Sequence, residues 1–412
     1  MAESVGLRAT LLARLPALES RDFTLLWLGL GVSSLGTQVQ RVAVAWQLYL
    51  LTRDPLSLGL LGLFRVLPIL LLALGAGVVA DAVDRRRLML FTQTLLASSS
   101  VLLAALTSTG GITPAAIYGL TFLSGCANAF DAPARQSLVP GLVPREHLAR
   151  ALSLNITTFQ IASIAGPWLG GVLLGKGSIA LAYSLDAASF LAVIFSLAVM
   201  KHRHIPASGS RVSLGAALEG LRFMRSQEIL LWMMALDFAG TFLAGATLLM
   251  PIFASEILKV GEEGLGLLYA APAAGAVLMA AAMSTLPPIK HPGRVILVSV
   301  ALYGLSISVF GLSESFPLSL ACLAISGAAD TVSMVLRQTA RQTLTPDALR
   351  GRMTSVNMIF FMGGPQLGEV EAGAVAKLLG APLSVATGGL AAALVALGVA
   401  IASPALRRYR SD

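Results

Sequence analysis

A chain of 412 residues in which 56% are hydrophobic and only 12% charged has too little polar surface to cover a water-soluble fold of its size. Its net charge of +8 could point to nucleic acid, but the positive residues sit in short loops between apolar runs, where membrane orientation accounts for them without such a partner. Cys126 and Cys322 fall inside apolar runs with no metal-ligand spacing, and the chain has no nucleotide-binding loop and no nucleophile paired with histidine. No metal, no cofactor and no enzyme chemistry are expected; the composition reads as an all-α polytopic membrane protein.

Residues 1–21 place Leu7, Leu11, Leu15 and Leu18 at helical spacing among Arg8, Arg14 and Arg21, which suits an amphipathic segment lying on the inner membrane surface. Apolar runs of about 20 residues, long enough to cross the hydrocarbon core, then follow at roughly 24–51, 57–80, 88–108, 113–133, 149–174 and 179–200. After a polar interruption they resume at roughly 229–255, 264–284, 294–312, 317–337, 353–378 and 382–403. Of the 29 lysines and arginines, Arg53, Lys176, Lys259 and Lys377 fall at outer ends and Arg41 and Arg65 within spans. The others are inside, which sets both termini in the cytoplasm. The expected organisation is an amino-terminal six-helix bundle over 1–200, a cytoplasmic linker over 201–228 and a carboxy-terminal six-helix bundle over 229–412. Within the linker, Leu214, Leu218, Leu221 and Phe223/Met224 form an apolar stripe suited to an interfacial helix.

Between the second and third runs stands Gly77-Val-Val-Ala-Asp81-Ala-Val-Asp84-Arg85-Arg86-Arg87, a hairpin whose three arginines hold it on the cytoplasmic side. Gly77 lets two backbones close up, and Asp81 can accept hydrogen bonds from a neighbouring helix or an arginine. Orientation alone explains the arginines but does not demand Gly77 and Asp81 at that spacing. The pattern Gly-x-x-x-Asp-x-x-x-Arg-Arg resembles the loop 2-3 signature of the major facilitator superfamily, with Asp84 where many members have glycine. The resemblance implies a secondary transporter with twelve helices, in which Gly77, Asp81, Arg85 and Arg86 belong to a cytoplasmic latch.

The halves repeat. Superposing Ser124-Gly125 on Ser326-Gly327 brings Arg135 onto Arg337, Gln136 onto Gln338, Pro144 onto Pro346, Arg150 onto Arg352, Ser153 onto Ser355 and Asn155 onto Asn357 without a gap. Parallel repeats of this kind are expected to hold a substrate site near the membrane midplane. In the fifth run, Gly166 and Gly170 lie on one face with Pro167 between them. That face resembles the superfamily's proton-exchanging exporter signature, and it also suits an ordinary small-residue packing face. Ala132-Pro-Ala-Arg135-Gln-Ser-Leu-Val-Pro140, Pro144-Arg-Glu-His-Leu148 and Thr345-Pro-Asp-Ala-Leu-Arg-Gly-Arg352 resemble the branch containing the bacterial enterobactin exporter and macrolide efflux proteins. The resemblance covers nearly the whole chain and implies a multi-pass protein of the bacterial inner membrane.

Charges inside a membrane are expensive and point to function. Asp131 precedes Arg135 by one turn, an ordinary pair, and the latch reading extends to both and to Arg337, two turns after Asp330. Asp186 is expected to make a local hydrogen bond. Asp237 either faces the cavity or caps a neighbour. Arg41, Arg65, Glu369 and Glu371 share a depth in the outer half, and Glu369 and Glu371, about 200° apart on a helix, cannot both face the cavity squarely. One glutamate is a candidate proton carrier, with Asp237 and Asp330 next in line; a permanent salt bridge closing the outer side is the alternative. Arg41 and Arg65, with Trp46, Phe64 and Phe360 as aromatic walls, suit an anionic or aromatic small molecule. The expectation is a monomeric, proton-coupled exporter of amphipathic small molecules, of the drug or siderophore antiporter type. Its alternatives are a proton-coupled uptake symporter and a transport-inactive scaffold or sensor.

Overall fold

The computed structural model describes residues 16–201, 222–245, 247–287, 289–346 and 349–410. The amphipathic amino-terminal segment through residue 15 and most of the linker stripe lie outside the described residues, as do the surroundings of Gly77 and the side chains of Asp81 and Phe360. Helices follow one another in chain order: α1 Arg21–Thr52, α2 Pro55–Ala82, α3 Arg85–Ser108, α4 Pro114–Leu142, α5 Leu148–Gly175 and α6 Ile179–Val199. They continue as α7 Glu228–Leu243, α8 Gly261–Thr285, α9 Pro292–Leu312, α10 Phe316–Leu344, α11 Arg350–Leu379 and α12 Ala381–Ala402. Among the described residues, nine segments are long and apolar enough to cross a membrane. α1, α4 and α11 fall outside that set because of polar groups along their lengths, including Gln38, Gln40 and Arg41, then Asp131 and Arg135, then Glu369, Glu371 and Lys377.

Local chemistry sets several boundaries. Asp84 caps the start of α3, accepting from the N–H groups of Arg86 at 2.9 Å and Arg87 at 3.4 Å. A carboxylate thus performs a capping task where the resembled signature carries glycine. Thr113 caps α4 through the N–H of Ala116 at 3.2 Å, with Pro114 at the first helical position, where its missing N–H costs nothing. The seventh run is broken where an unbroken span over 229–255 was expected: α7 ends at Leu243, and the chain resumes as Thr247–Leu249, Met250–Ile252 and a π-helical turn, Phe253–Ile257. Gly245 presses on the carbonyl of Pro365 there, with 3.2 Å left for a Cβ, and Pro251 has no N–H to continue an earlier ladder.

The chain divides into two compact units, Met1–Val44 with Leu67–Val212, and Ala45–Val66 with Ser213–Asp412. In the first, α3 packs on α4 and α6 around Phe23, Leu26, Met89, Leu138, Val193 and Leu197. In the second, α9 packs on α10 and α12, α8 on α10, and α7 on α11. The α9–α12 crossing runs through facing glycines: a Cβ on Gly304 would fall on the carbonyl of Gly389, and one on Gly389 on that of Gly304. Small residues of this kind are what membrane helices use to approach, since lipid tails give them no hydrophobic drive to associate.

Candidate functional site

In the second unit, α7 presents Leu230, Met233, Met234 and Asp237 on one face, and α10 presents Met334, Arg337, Gln338 and Arg341 at the same i, i+3, i+4, i+7 spacing. The two faces line an open cavity of about 150 Å³. Arg337 Nη1 lies 2.7 Å from Asp237 Oδ1, both side chains nearly buried at 12% and 13% exposure, and Arg337 Nη2 lies 3.9 Å from Asp330 Oδ1. One guanidinium therefore serves two carboxylates, and the trio keeps one negative charge when both are ionised. Tyr303 of α9 and Ser333 of α10 line the space beside it. Removing one partner of so buried a pair leaves an uncompensated charge, at about 3–5 kcal/mol.

At the far end of the same unit, Tyr49 is buried and hydrogen bonds Glu256 on the π-helical turn. Trp46 packs against the Tyr49 ring at 5.8 Å between centroids. Asp54 Oδ1 stands 3.6 Å from Lys377 Nζ of α11, while Asp54 Oδ2 accepts from the N–H and hydroxyl of Ser57 at 3.1 and 2.9 Å. Partial burial works against ionisation of Asp54, but these hydrogen bonds and the Lys377 ammonium outweigh it and hold the carboxyl below its ordinary pKa. Next along α2, Gly59 and Gly62 lie against α11: a Cβ on Gly59 would sit 2.7 Å from Glu369 O, and one on Gly62 2.8 Å from Glu369 Oε2. Glu369 is buried, Glu371 partly exposed. Arg65 and Phe64 are partly buried on the same stretch of α2.

The first unit holds the remaining predicted residues. Arg85 Nη1 donates to the carbonyl of Ser137 on α4 at 3.0 Å. Arg86 donates to the last carbonyls of α6, to Leu197 at 2.5 Å and Ala198 at 2.8 Å, a cation on the negative end of a helix. Asp131 pairs with Arg135 at 3.9 Å, but its closer partners are on α3, Thr92 Oγ1 and Gln93 Nε2, each at 2.9 Å. Asp186, expected to make a local hydrogen bond, accepts instead from Ser100 Oγ of α3 at 2.6 Å, 86 residues away in the chain. Gly166 and Gly170 of α5 face α1: a Cβ on Gly166 would fall on Gln38 Cβ, and one on Gly170 would sit 3.3 Å from Val39 O. Beside them, Gln38 Nε2 donates to Ser163 Oγ at 2.8 Å, and Pro167 is buried. Arg41 is exposed on α1.

The structure thus brings Asp237, Asp330 and Arg337 together, where the sequence had set Arg337 among the latch residues and the two aspartates among proton carriers. Sequence reasoning missed Tyr49, Glu256, Arg341 and the methionines of α7. The paired three-four spacing of polar and sulfur-bearing residues on α7 and α10 was the signal available for the last two.

A family profile described as "Transmembrane secretion effector" matches residues 13–412. The chain is 27% identical over 369 residues to the enterobactin exporter EntS of Citrobacter koseri, covering 90% of this chain and 88% of that one. To EntS of Salmonella typhi it is 25% identical, covering 90% and 89%. Among solved structures it resembles a POT family transporter in complex with 5-aminolevulinic acid, with a TM-score of 0.75 at 12% identity over 94% of this chain and 97% of that one. It also resembles a bacterial homolog of the human lysosomal transporter Spinster, with a TM-score of 0.74 at 14% identity over 95% and 99%. At these identities the structural likeness concerns the fold alone.

Proposed function

Because the chain belongs to the family of transmembrane secretion effectors, a branch of the major facilitator superfamily, and is a multi-pass transporter of the bacterial inner membrane, we propose that it exports an amphipathic small molecule in exchange for protons. In this reading twelve helices form two six-helix bundles with both termini cytoplasmic, and transport proceeds by alternating access. The relatives named as enterobactin exporters support export as the direction and a siderophore-like metabolite as cargo.

The observation that supports proton coupling is Arg337 held between Asp237 and Asp330 on α7 and α10. A carboxylate paired with arginine stays ionised; when a conformational change separates the two in a dry environment, the carboxyl takes up a proton. Asp237 and Asp330 are the foremost carriers in this reading, with Glu369 and Glu371 the remaining candidates. The latch role of Gly77, Asp81, Arg85, Arg86, Asp131 and Arg135 and the exporter-type role of Gly166, Pro167 and Gly170 belong to the same proposal.

Everted membrane vesicles test it. With the lumen acidified, labelled enterobactin should accumulate inside against its gradient, and collapsing the pH gradient should release it. Accumulation only when the lumen is alkaline would assign proton symport, and no dependence on the pH gradient would remove proton coupling.

A further inference from the structure

We infer that the cavity between α7 and α10 is a binding site for a monocyclic aromatic acid, either free or as the terminal aryl acid of a larger cargo. The site deepens the transporter reading above and rests on it for its use in the cell. Its volume of about 150 Å³ matches that of an apolar protein cavity known to admit one benzene ring, so one ring with a small substituent fits.

The walls choose the kind of ring. Met233 and Met234 are buried on α7, and Met334 faces them from α10. Thioethers are polarisable and make favourable contacts with aromatic rings, and their unbranched chains adapt to different ring substituents. An aliphatic wall of equal size would hold a cyclohexyl group as well as a phenyl group; three sulfurs favour the phenyl.

The charges choose the substituent. Arg337 is engaged by Asp237 at 2.7 Å, which leaves that pair neutral toward a ligand, and the remaining negative charge of Asp330 lies outside the lining of this cavity. Arg341, one turn further along α10, forms no ion pair among the described residues, and its guanidinium donates to Gln338 Oε1 at 3.1 Å. The remaining N–H groups of that planar fork are available for a carboxylate, which guanidinium binds through two parallel hydrogen bonds. An ammonium on the ring would instead meet the like charge of Arg341.

Binding is measurable on the purified full-length protein without transport. Saturation-transfer NMR with benzoate, cyclohexanecarboxylate, benzyl alcohol and benzylamine separates the contribution of charge from that of the ring. Benzoate should bind saturably and more tightly than cyclohexanecarboxylate, and benzylamine should not bind. Arg341→Gln should weaken benzoate about tenfold while leaving benzyl alcohol unchanged, since a charged hydrogen bond is lost and the ring contacts remain. Arg341→Lys, which keeps the charge but not the fork, should fall between. The variant with Met233, Met234 and Met334 all replaced by Leu should erase the preference for benzoate over cyclohexanecarboxylate. Equal benzoate affinity in wild type and Arg341→Gln, or binding of benzylamine, overturns the site. Arg341-dependent benzoate binding in a protein that shows no gradient-driven flux would sustain the site and refute the exporter reading instead.

Discussion

Tyr49 of α1 donates its phenolic hydrogen to Oε1 of Glu256, and the Tyr49 hydroxyl oxygen accepts from Arg53 Nη1 at 3.2 Å. A tyrosine hydroxyl has one proton to give and lone pairs to receive with, so the contact is a relay from cation to anion. The Arg53 guanidinium also lies over the Tyr49 ring, 4.9 Å from its centroid. Both ends of the relay sit on unusual backbone: Arg53 has a φ of 50°, and Glu256 is on a π-helical turn. Such conformations persist where the surroundings hold them, and they recur at functional sites.

Tyr49→Phe removes the relay without changing the ring. The hydroxyl bonds a carboxylate, so the loss is about 1.5–3 kcal/mol. With Cys126 and Cys322 replaced by Ala, a cysteine at the buried position Leu58 should react with maleimide at least about tenfold faster in Tyr49→Phe than in its parent. An unchanged rate would show that the relay does not hold α1 and α2 in place.

The α5–α1 contact predicts an order of severity. Gly170→Ala asks Val39 and Val42 to give by a few tenths of an ångström, since the new Cβ sits 3.3–3.4 Å from them, whereas at Gly166 it falls on Gln38 Cβ. Overpacking costs about 1–3 kcal/mol, so Gly166→Ala should melt well below Gly170→Ala, and Gly170→Leu should abolish flux. Equal melting temperatures for the two alanine variants would contradict the geometry.

Asp237→Asn should stop gradient-driven accumulation, but it also leaves the buried Arg337 guanidinium with only the longer contact to Asp330. The double variant Asp237→Asn with Arg337→Gln removes both members of the close pair, leaving only the half-exposed Asp330 charged, and should recover stability without recovering proton coupling. If Asp237→Asn, Asp330→Asn and their combination all still accumulate substrate, while Glu369→Gln or Glu371→Gln does not, the carrier is on α11.

Arg86 holds the end of α6 through two carbonyls. Arg86→Gln should lower stability by about 0.5–2 kcal/mol, read as a fall in melting temperature, because a neutral amide loses the interaction with the helix end. Arg86→Lys should recover part of it; equal melting of all three proteins would remove the capping role.

The Asp54–Lys377 pair has a defined pH range. Asp54 has its pKa lowered on folding, so its contribution is complete above the unfolded value of about 3.9 and is lost only as pH falls through the lower folded value. The stability difference between wild type and Asp54→Asn should therefore be constant from about pH 5 to 8 and no more than about 1 kcal/mol, since both groups are partly exposed. Any pH dependence of transport in that range should survive in Asp54→Asn, because Asp54 stays ionised throughout.

By itself the sequence determined whatever depends on composition and short spacing. Apolar runs and the Arg85–Arg87 cluster specified a membrane-embedded helical chain, because water and lipid sort residues by charge and hydropathy wherever they lie in the fold. Gly166 and Gly170 marked a helix face by their spacing of four. Pairings were a different matter. A shared depth groups Arg41, Arg65, Glu369 and Glu371, but depth is one coordinate, and it is the packing of α2 on α11 that sets Gly59 and Gly62 against Glu369. Which carboxylate Arg337 takes was decided by the packing of α7 beside α10, and which acid receives Tyr49 by the turn that follows α7. Those partners lie far apart along the chain, and an ion pair forms over a few ångströms of space, so only the tertiary structure could choose between carboxylates that the sequence presented as equals.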